Sequence, residues 1–366
     1  MSRKFTKWLL ATALIAKINA CAMEIKEFPT DFGTISHITL TNKSGASATL
    51  STLGAGITSI VVPDKDGNMT DVVLGYQNPA DWMADGPCAG KVPGRYANRI
   101  ARGHFSIDGN EYSLAINNGP NALHGGPTGF QNRIWNLVEA DDKRVVMEYT
   151  SADGEEGYPG TLKARATYTW SDKNVLRLEL DAESDKPTVV NLTNHAYFNL
   201  AGHGSGTALN HSLQLNASRY LPTDDTLIPL PEAPAPVEGT PMDFTKAKRL
   251  GADIKADFPA LNYGKGYDNC WVIDRKQPGM AHAATLEEPK SGRKLEVFTT
   301  QPGVQVYTGN WLEGCPAGKD GATYHDYDGV AIECQAFPDA PNRPDFPSTL
   351  LRPGEKYHEE IEFRFS

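Results

Sequence analysis

The chain has 366 residues, 40% hydrophobic and 22% charged, the balance of a soluble globular protein with enough material for a large core. Its formal charge is −10 and it has no basic cluster, which argues against nucleic acid and anionic membrane surfaces as partners. Length alone suggests two domains, but all-β architectures often run this long as one.

Residues 1–22 read as a segment apart from the fold. Arg3, Lys4 and Lys7 precede the apolar run WLLATALIA, and Ala20-Cys21-Ala22 is a small-x-small site. This is the pattern of a secretory signal peptide cut after Ala22, and the run is too short to span a bilayer. Lipidation at Cys21 is the alternative, which Ile18-Asn19-Ala20 fits poorly. The expected product is exported to the periplasm, with a cytoplasmic location as the other reading. Cleavage removes Arg3, Lys4, Lys7 and Lys17 and no acid, taking the charge from −10 to −14. Cys88, Cys270, Cys315 and Cys334 remain, in no diagnostic spacing, so free thiols and disulfides both stay open.

Helical periodicity is scarce after that, and short helices are expected only at residues 79–84 and 246–256. Strand signals dominate. Phe105 and Ile107 alternate, Asp108-Gly109 turns, and Tyr112, Leu114 and Ile116 alternate again, a hairpin. Ala164, Ala166, Tyr168 and Trp170 share a face, residues 171–174 turn, and Leu176, Leu178 and Leu180 share the returning face. The stretch NLTNHAYFNLAG (191–202) reads as a strand whose one face carries Asn191, Thr193, His195, Tyr197 and Asn199. That uncharged polar face suits the floor of a site for a neutral sugar; the plain alternative is a strand with a satisfied core histidine. PLPEAPAPVEGTP (229–241) reads as an ordered loop. KLEVFTTQPGVQVYTGN reads as a third hairpin turning near Pro302-Gly303, and Ile361, Phe363 and Phe365 mark a final strand. With no linker and no fixed-period repeat inside residues 23–366, the expectation is one all-β domain, an antiparallel β-sandwich.

Five further stretches set a reactive or polar side chain into a turn or apolar strand: Asn98 and Arg99 in GRYANRI, His124 in NALHGG, Asp268 in GKGYDNCWVID, Gln305 in PGVQVYTGNW and Glu333 in DGVAIECQAFPDAPN. Taken singly, Arg99 reads as a salt-bridge arginine, His124 as a loop histidine, Asp268 as a turn residue and Gln305 as a hairpin cap. Glu333 resists such a reading, because a carboxylate between Ile332 and Cys334 is costly unless paired or functional. Together the residues allow two kinds of site. One is a metal centre of His124, His195 and Asp268 or Glu333, unsupported by any HxH or HxxxH spacing. The other is a metal-free acid–base pair acting on a polar neutral substrate, which the uncharged faces favour.

The motifs GRYANRIARGHFSIDG, NALHGG, NLTNHAYFNLAG, GYDNCWV, PGVQVYTGN and IECQAFPDAPNRPDFPSTLLRPGEKY resemble those of the aldose 1-epimerases, also called galactose mutarotases, in the family's order from about Ile25 to the C-terminus. The resemblance implies a large antiparallel supersandwich and interconversion of the α and β anomers of free hexoses such as galactose and glucose, with no cofactor or metal. It puts Glu333 on the catalytic base and His195 on the catalytic acid. It puts Arg99, His124, Asp268 and Gln305 on positions that hold the sugar, with Asn98 adjacent. The expected partner is the sugar alone, with the protein a monomer that meets no membrane after cleavage. Three rivals remain: a hexose 6-phosphate epimerase, which would need more cations than Arg99; a non-catalytic sugar-binding module, which would not need both Glu333 and His195; and a metal-dependent hydrolase or lyase.

Overall fold

The structure, a computed structural model, describes residues 21–83 and 85–366. The expected signal peptide therefore lies, but for its last two residues, outside the described residues. Antiparallel strands make up three main sheets. The first is a five-stranded meander running in chain order from Ala22–Thr30 to Met69–Asp71. The second has nine strands, with Leu162–Trp170, Val175–Ser184 and Tyr357–Phe365 near its middle. The third has six, in the order Tyr197–Phe198, Val330–Gln335, Gly303–Tyr307, Asp268–Val272, Arg219–Tyr220, Ala235–Pro236. The expected all-β sandwich is what the chain forms.

Alternation builds the core as the sequence suggests. Ala164, Ala166, Tyr168 and Trp170 are buried, and Tyr168 and Ala166 pair across the ladder with Leu178 and Leu180. The same apolar cluster takes in Ile57 and Ile60 from the five-stranded sheet and Val304, Val306, Val330 and Ile332 from the six-stranded one. Each fully buried aliphatic chain contributes roughly 1.5–3 kcal/mol. The six-stranded sheet is thus two-faced. Val304, Val306, Ile332 and Cys334 enter the core, while the alternate positions Gln305, Tyr307 and Glu333 point the other way.

Four expectations need correction. Residues 246–256 are not a helix: Lys248–Arg249 pairs with Ser212-Leu213 at a sheet edge, and the N–H groups of Leu250 and Gly251 donate to the carbonyls of His211 and Leu209. Those external acceptors replace the i−4 carbonyls a helix would use. The α-helix lies just beyond, at Pro259–Gly264, and the earlier expected helix is a short 3-10 turn, Pro79–Trp82. The expected third hairpin is a crossover. Lys294–Thr299 lies in the nine-stranded sheet beside Tyr357–Phe365, whereas Gly303–Tyr307 lies in the six-stranded sheet beside Val330–Gln335. The Thr300–Pro302 link carries the chain between layers, with Thr300 N–H donating to Glu360 O and Ile273 N–H to Pro302 O. Finally, only Tyr197–Phe198 of residues 191–202 forms a ladder. Residues 191–195 run instead along residues 90–97, joined by His195 N–H to Lys91 O and Gly90 N–H to His195 O.

Candidate active site

A cavity of about 580 Å³ opens over the polar face of the six-stranded sheet. Its walls include Asn98, Arg99, His124, His195, Tyr197, Asp268, Tyr307 and Glu333. Seven residues singled out in the sequence as candidates converge here from separate elements; six line the cavity and Gln305 stands behind them.

Glu333 sits mid-strand directly opposite Gln305. Its Oε1 lies 3.4 Å from Nε2 of His195, and both residues are buried, at 2% and 5% exposure. Burial pushes the Glu333 carboxyl well above its ordinary value; Asp268 adds to this and Arg99 opposes it. Burial, helped by the Lys91 charge, draws His195 down to about 4. Glu333 Oε2 and His195 Nδ1 have no hydrogen-bond partner within the protein.

The two-stranded ribbon of Arg99–Ile100 with Ala122–Leu123 brings Arg99 and His124 together. Both Asn98 and His124 have positive φ, at 64° and 52°, and Gly125 and Gly126 follow in the same region. A Cβ on Gly125 would sit 2.0 Å from Gly94 O, so glycine is required there. The backbone N–H of Asn98 donates to Nδ1 of His124 at 3.1 Å. That bond puts the proton of the neutral ring on Nε2, the nitrogen left to face outward, and burial keeps the ring neutral by holding it well below its ordinary value. His124 is therefore a fixed donor toward the cavity.

Arg99 donates through Nε to Asn118 Oδ1 at 3.0 Å and through Nη2 to Asp268 Oδ2 at 3.5 Å. Gln305 lies behind Asp268, buried, with its amide donating to Asp268 Oδ1 at 2.7 Å and its own carbonyl oxygen unpartnered. Asp268 is thus oriented from both sides.

The polar face of residues 191–199 is not a continuous sugar floor. Asn191 bonds the backbone of Ala97 and Ala336, Thr193 donates to Cys334 O, and Asn199 donates to Gly206 O and Asp328 O. These side chains satisfy buried backbone where the ladder is broken, and only His195 and Tyr197 reach the cavity. Sequence reasoning passed over Tyr307 and Trp311 as wall residues. Trp311 is 64% exposed at the rim, with Lys265 Nζ 4.3 Å from its ring centre. A tryptophan directly after the PGVQVYTGN stretch was the available signal.

His124, His195 and Glu333 come within metal-ligand reach, their ligand atoms within 4.8 Å of one another. They do not fit a metal, because the Nδ1 lone pair of His124 is engaged by Asn98 and its Nε2 carries the proton. What the arrangement can do is pass one proton between a carboxyl and an imidazole across a small polar substrate. The cysteines are all unpaired thiols.

Residues 36–364 match the family model described as aldose 1-epimerase. The chain is 46% identical to the galactose mutarotase of Homo sapiens over 313 residues, covering 86% of this chain and 89% of that one. It is 38% identical to the aldose 1-epimerase of Escherichia coli (strain K12) over 330 residues, covering 90% and 94%. Among solved structures, an aldose epimerase homologue from C. elegans superposes with a TM-score of 0.83 at 34% identity, covering 94% of this chain and 99% of that one. Galactose 1-epimerase from Lactobacillus acidophilus gives 0.82 at 28%, covering 95% and 99%. Matched along almost its whole length in sequence and in fold, the chain belongs to the aldose 1-epimerase family.

Proposed function

We propose that Glu333 and His195 are the base and acid of an anomer interconversion acting on free hexoses, galactose and glucose among them. The enzyme is an aldose 1-epimerase. The observation that carries the residue assignment is the buried Glu333–His195 pair, 3.4 Å apart in the wall of a polar cavity.

In the opening step the Glu333 carboxylate takes the proton from the C1 hydroxyl. The C1–O5 bond breaks, its electrons go to O5, and O5 takes a proton from the His195 imidazolium. The products are the open aldehyde, a neutral Glu333 carboxyl and a neutral imidazole. Rotation about C1–C2 presents the other carbonyl face. The groups then reverse roles: His195 removes the O5 proton as O5 attacks C1, and Glu333 protonates O1. The pair holds one proton throughout. Burial favours the neutral carboxyl with the neutral imidazole, the state that closes the ring. Hydrogen bonding to substrate favours the charged state that opens it. His124 Nε2–H and the Arg99 guanidinium are placed to stabilise charge developing on oxygen, and Asp268, steadied by Gln305, accepts from sugar hydroxyls. Asn98 serves mainly through its backbone bond to His124. Positioned proton transfer contributes about 10²–10⁴-fold, and fixed geometry adds to that.

The 6-phosphate alternative is disfavoured by the cavity wall, which sets Arg99 against Asp225, Asp268 and Glu333. Exchange between the anomeric protons of α- and β-galactose, followed by NMR, tests the reading. Exchange faster than in buffer supports it, and exchange on glucose 6-phosphate exceeding that on glucose would favour the rival.

We further propose that residues 1–22 direct export, leaving residues 23–366 as one monomeric catalytic domain in the periplasm. The basic-apolar-small pattern supports this. Among the described residues, no helix is long and apolar enough to cross a membrane. A mature N-terminus at Met23 in a periplasmic fraction is the expected mass-spectrometric result, and an intact Met1 in the cytoplasm the contrary one.

A further inference from the structure

Gln335 lies two residues beyond Glu333 on the same strand, fully buried, and neither atom of its amide has a hydrogen-bond partner within the protein. Side chains two apart on a strand share a face. On this face the next rows are Gln305 opposite Glu333, and Gly303 opposite Gln335. Four polar atoms carried on this one face are thus buried and unpartnered: Glu333 Oε2, Gln305 Oε1, Gln335 Oε1 and Gln335 Nε2. Each orphaned atom costs roughly 1–3 kcal/mol, and buried polar atoms in folded proteins are satisfied by protein or by ordered water. Glu333 lines the cavity with its Oε1 3.4 Å from His195 Nε2, while its Oε2 is buried and unpartnered, and Gln335 is not part of the cavity wall. Gly303 keeps this row narrow, since a Cβ there would meet Cys270 Sγ at 2.7 Å and the Phe337 ring at 3.0 Å. A water that met Gln335 and Glu333 Oε2 would find among these orphaned atoms the two to four polar partners a buried water needs.

We infer that Gln335 is a positioning residue for Glu333, holding the far oxygen of the carboxyl through a water buried between the two strands. The amide can donate to that water while the water donates to Oε2, or accept when the carboxyl is protonated. It therefore serves both protonation states that the catalytic cycle visits, which a fixed donor would not. The inference rests on Glu333 as the base.

The test is Gln335→Met, which keeps length and volume but cannot hold the water, compared with wild type and Gln335→Asn. The titratable and charged groups that interact with Glu333 are unchanged by it: His195, Asp268, Arg99, Tyr197, Cys270 and Cys88 on its own side of the sheet, and Cys334 on the core side. The expected result is a fall in kcat of roughly tenfold or more from lost orientation, with KM within about twofold. The alkaline limb of the pH–rate profile should move to higher pH, because the charge-assisted bond lost from the carboxylate is stronger than the neutral one lost from the acid. Thermal stability should hold, since replacing a buried amide and its water by an apolar side chain of the same shape is nearly neutral. Gln335→Asn should recover part of kcat. Unchanged kcat and pH profile in Gln335→Met would overturn the inference, and so would a loss of kcat that tracks a loss of folded protein. Activity retained in Glu333→Gln would instead remove the base assignment itself, so the two failures are distinguishable.

Discussion

At the scale of single residues, the pair of Glu333 and His195 works only when it holds one proton. His195 is drawn down to about 4, so the second proton arrives only in acid. Turnover should therefore stay level through neutral pH and fall as pH drops toward about 4, with steady-state polarimetry as the check. A fall already centred near pH 6.5 would mean that an ordinary histidine is the acid. Arg99→Lys keeps the charge but loses the planar fork that reaches Asn118 and Asp268 together. KM for galactose is expected to rise about tenfold, a loss of about 1.4 kcal/mol in binding, with kcat affected less. Glu333 was legible in the sequence because a lone carboxylate on an apolar strand demands a reason. The polar run around His195 was legible as unusual, but its purpose was misread: Asn191, Thr193 and Asn199 bond interrupted backbone, and sequence cannot tell an amide aimed at a ligand from one aimed at a carbonyl.

Elements place these residues. The ribbon that carries Arg99 and His124 depends on a run of left-handed backbone at His124, Gly125 and Gly126. Gly125→Ala puts a methyl 2.0 Å from Gly94 O, a backbone atom that cannot swing aside. The variant should lose activity by more than tenfold, with His124 displaced, and lower the thermal midpoint; unaltered activity and melting would show that the loop is not what fixes His124. NALHGG advertised this in the sequence, since paired glycines mark close backbone approach. The crossover at residues 300–302 did not advertise itself. Alternation reveals a strand and its buried face but not its neighbour, and a turn that joins two layers reads like one that closes a hairpin.

For the whole molecule, one apolar core joins all three sheets, and the site rides on the far side of the six-stranded one. Phe363 lies in that core at 1% exposure, on the strand between Leu176 and Val297. Phe363→Ala should reduce unfolding free energy by about 3–5 kcal/mol in urea titration, while kcat per folded molecule stays close to wild type. A large drop in kcat without loss of stability would show that core and site are coupled more tightly than two faces of a sheet imply. Fold class was readable from strand density and hairpin spacing, and the apolar faces of Leu162–Trp170, Val175–Ser184 and Tyr357–Phe365 named much of the core in advance. The pairing of the remaining strands was set by long-range contacts that no local pattern encodes.

The most direct test is polarimetry of freshly dissolved α-D-galactose with wild-type protein and Glu333→Gln side by side. The account predicts that wild type brings rotation to equilibrium well ahead of buffer. The variant, folded and binding galactose within about tenfold of wild type, should run at nearly the buffer rate, because shape is kept and proton transfer is lost. Wild-type speed from the variant would contradict the assignment of Glu333 as the base.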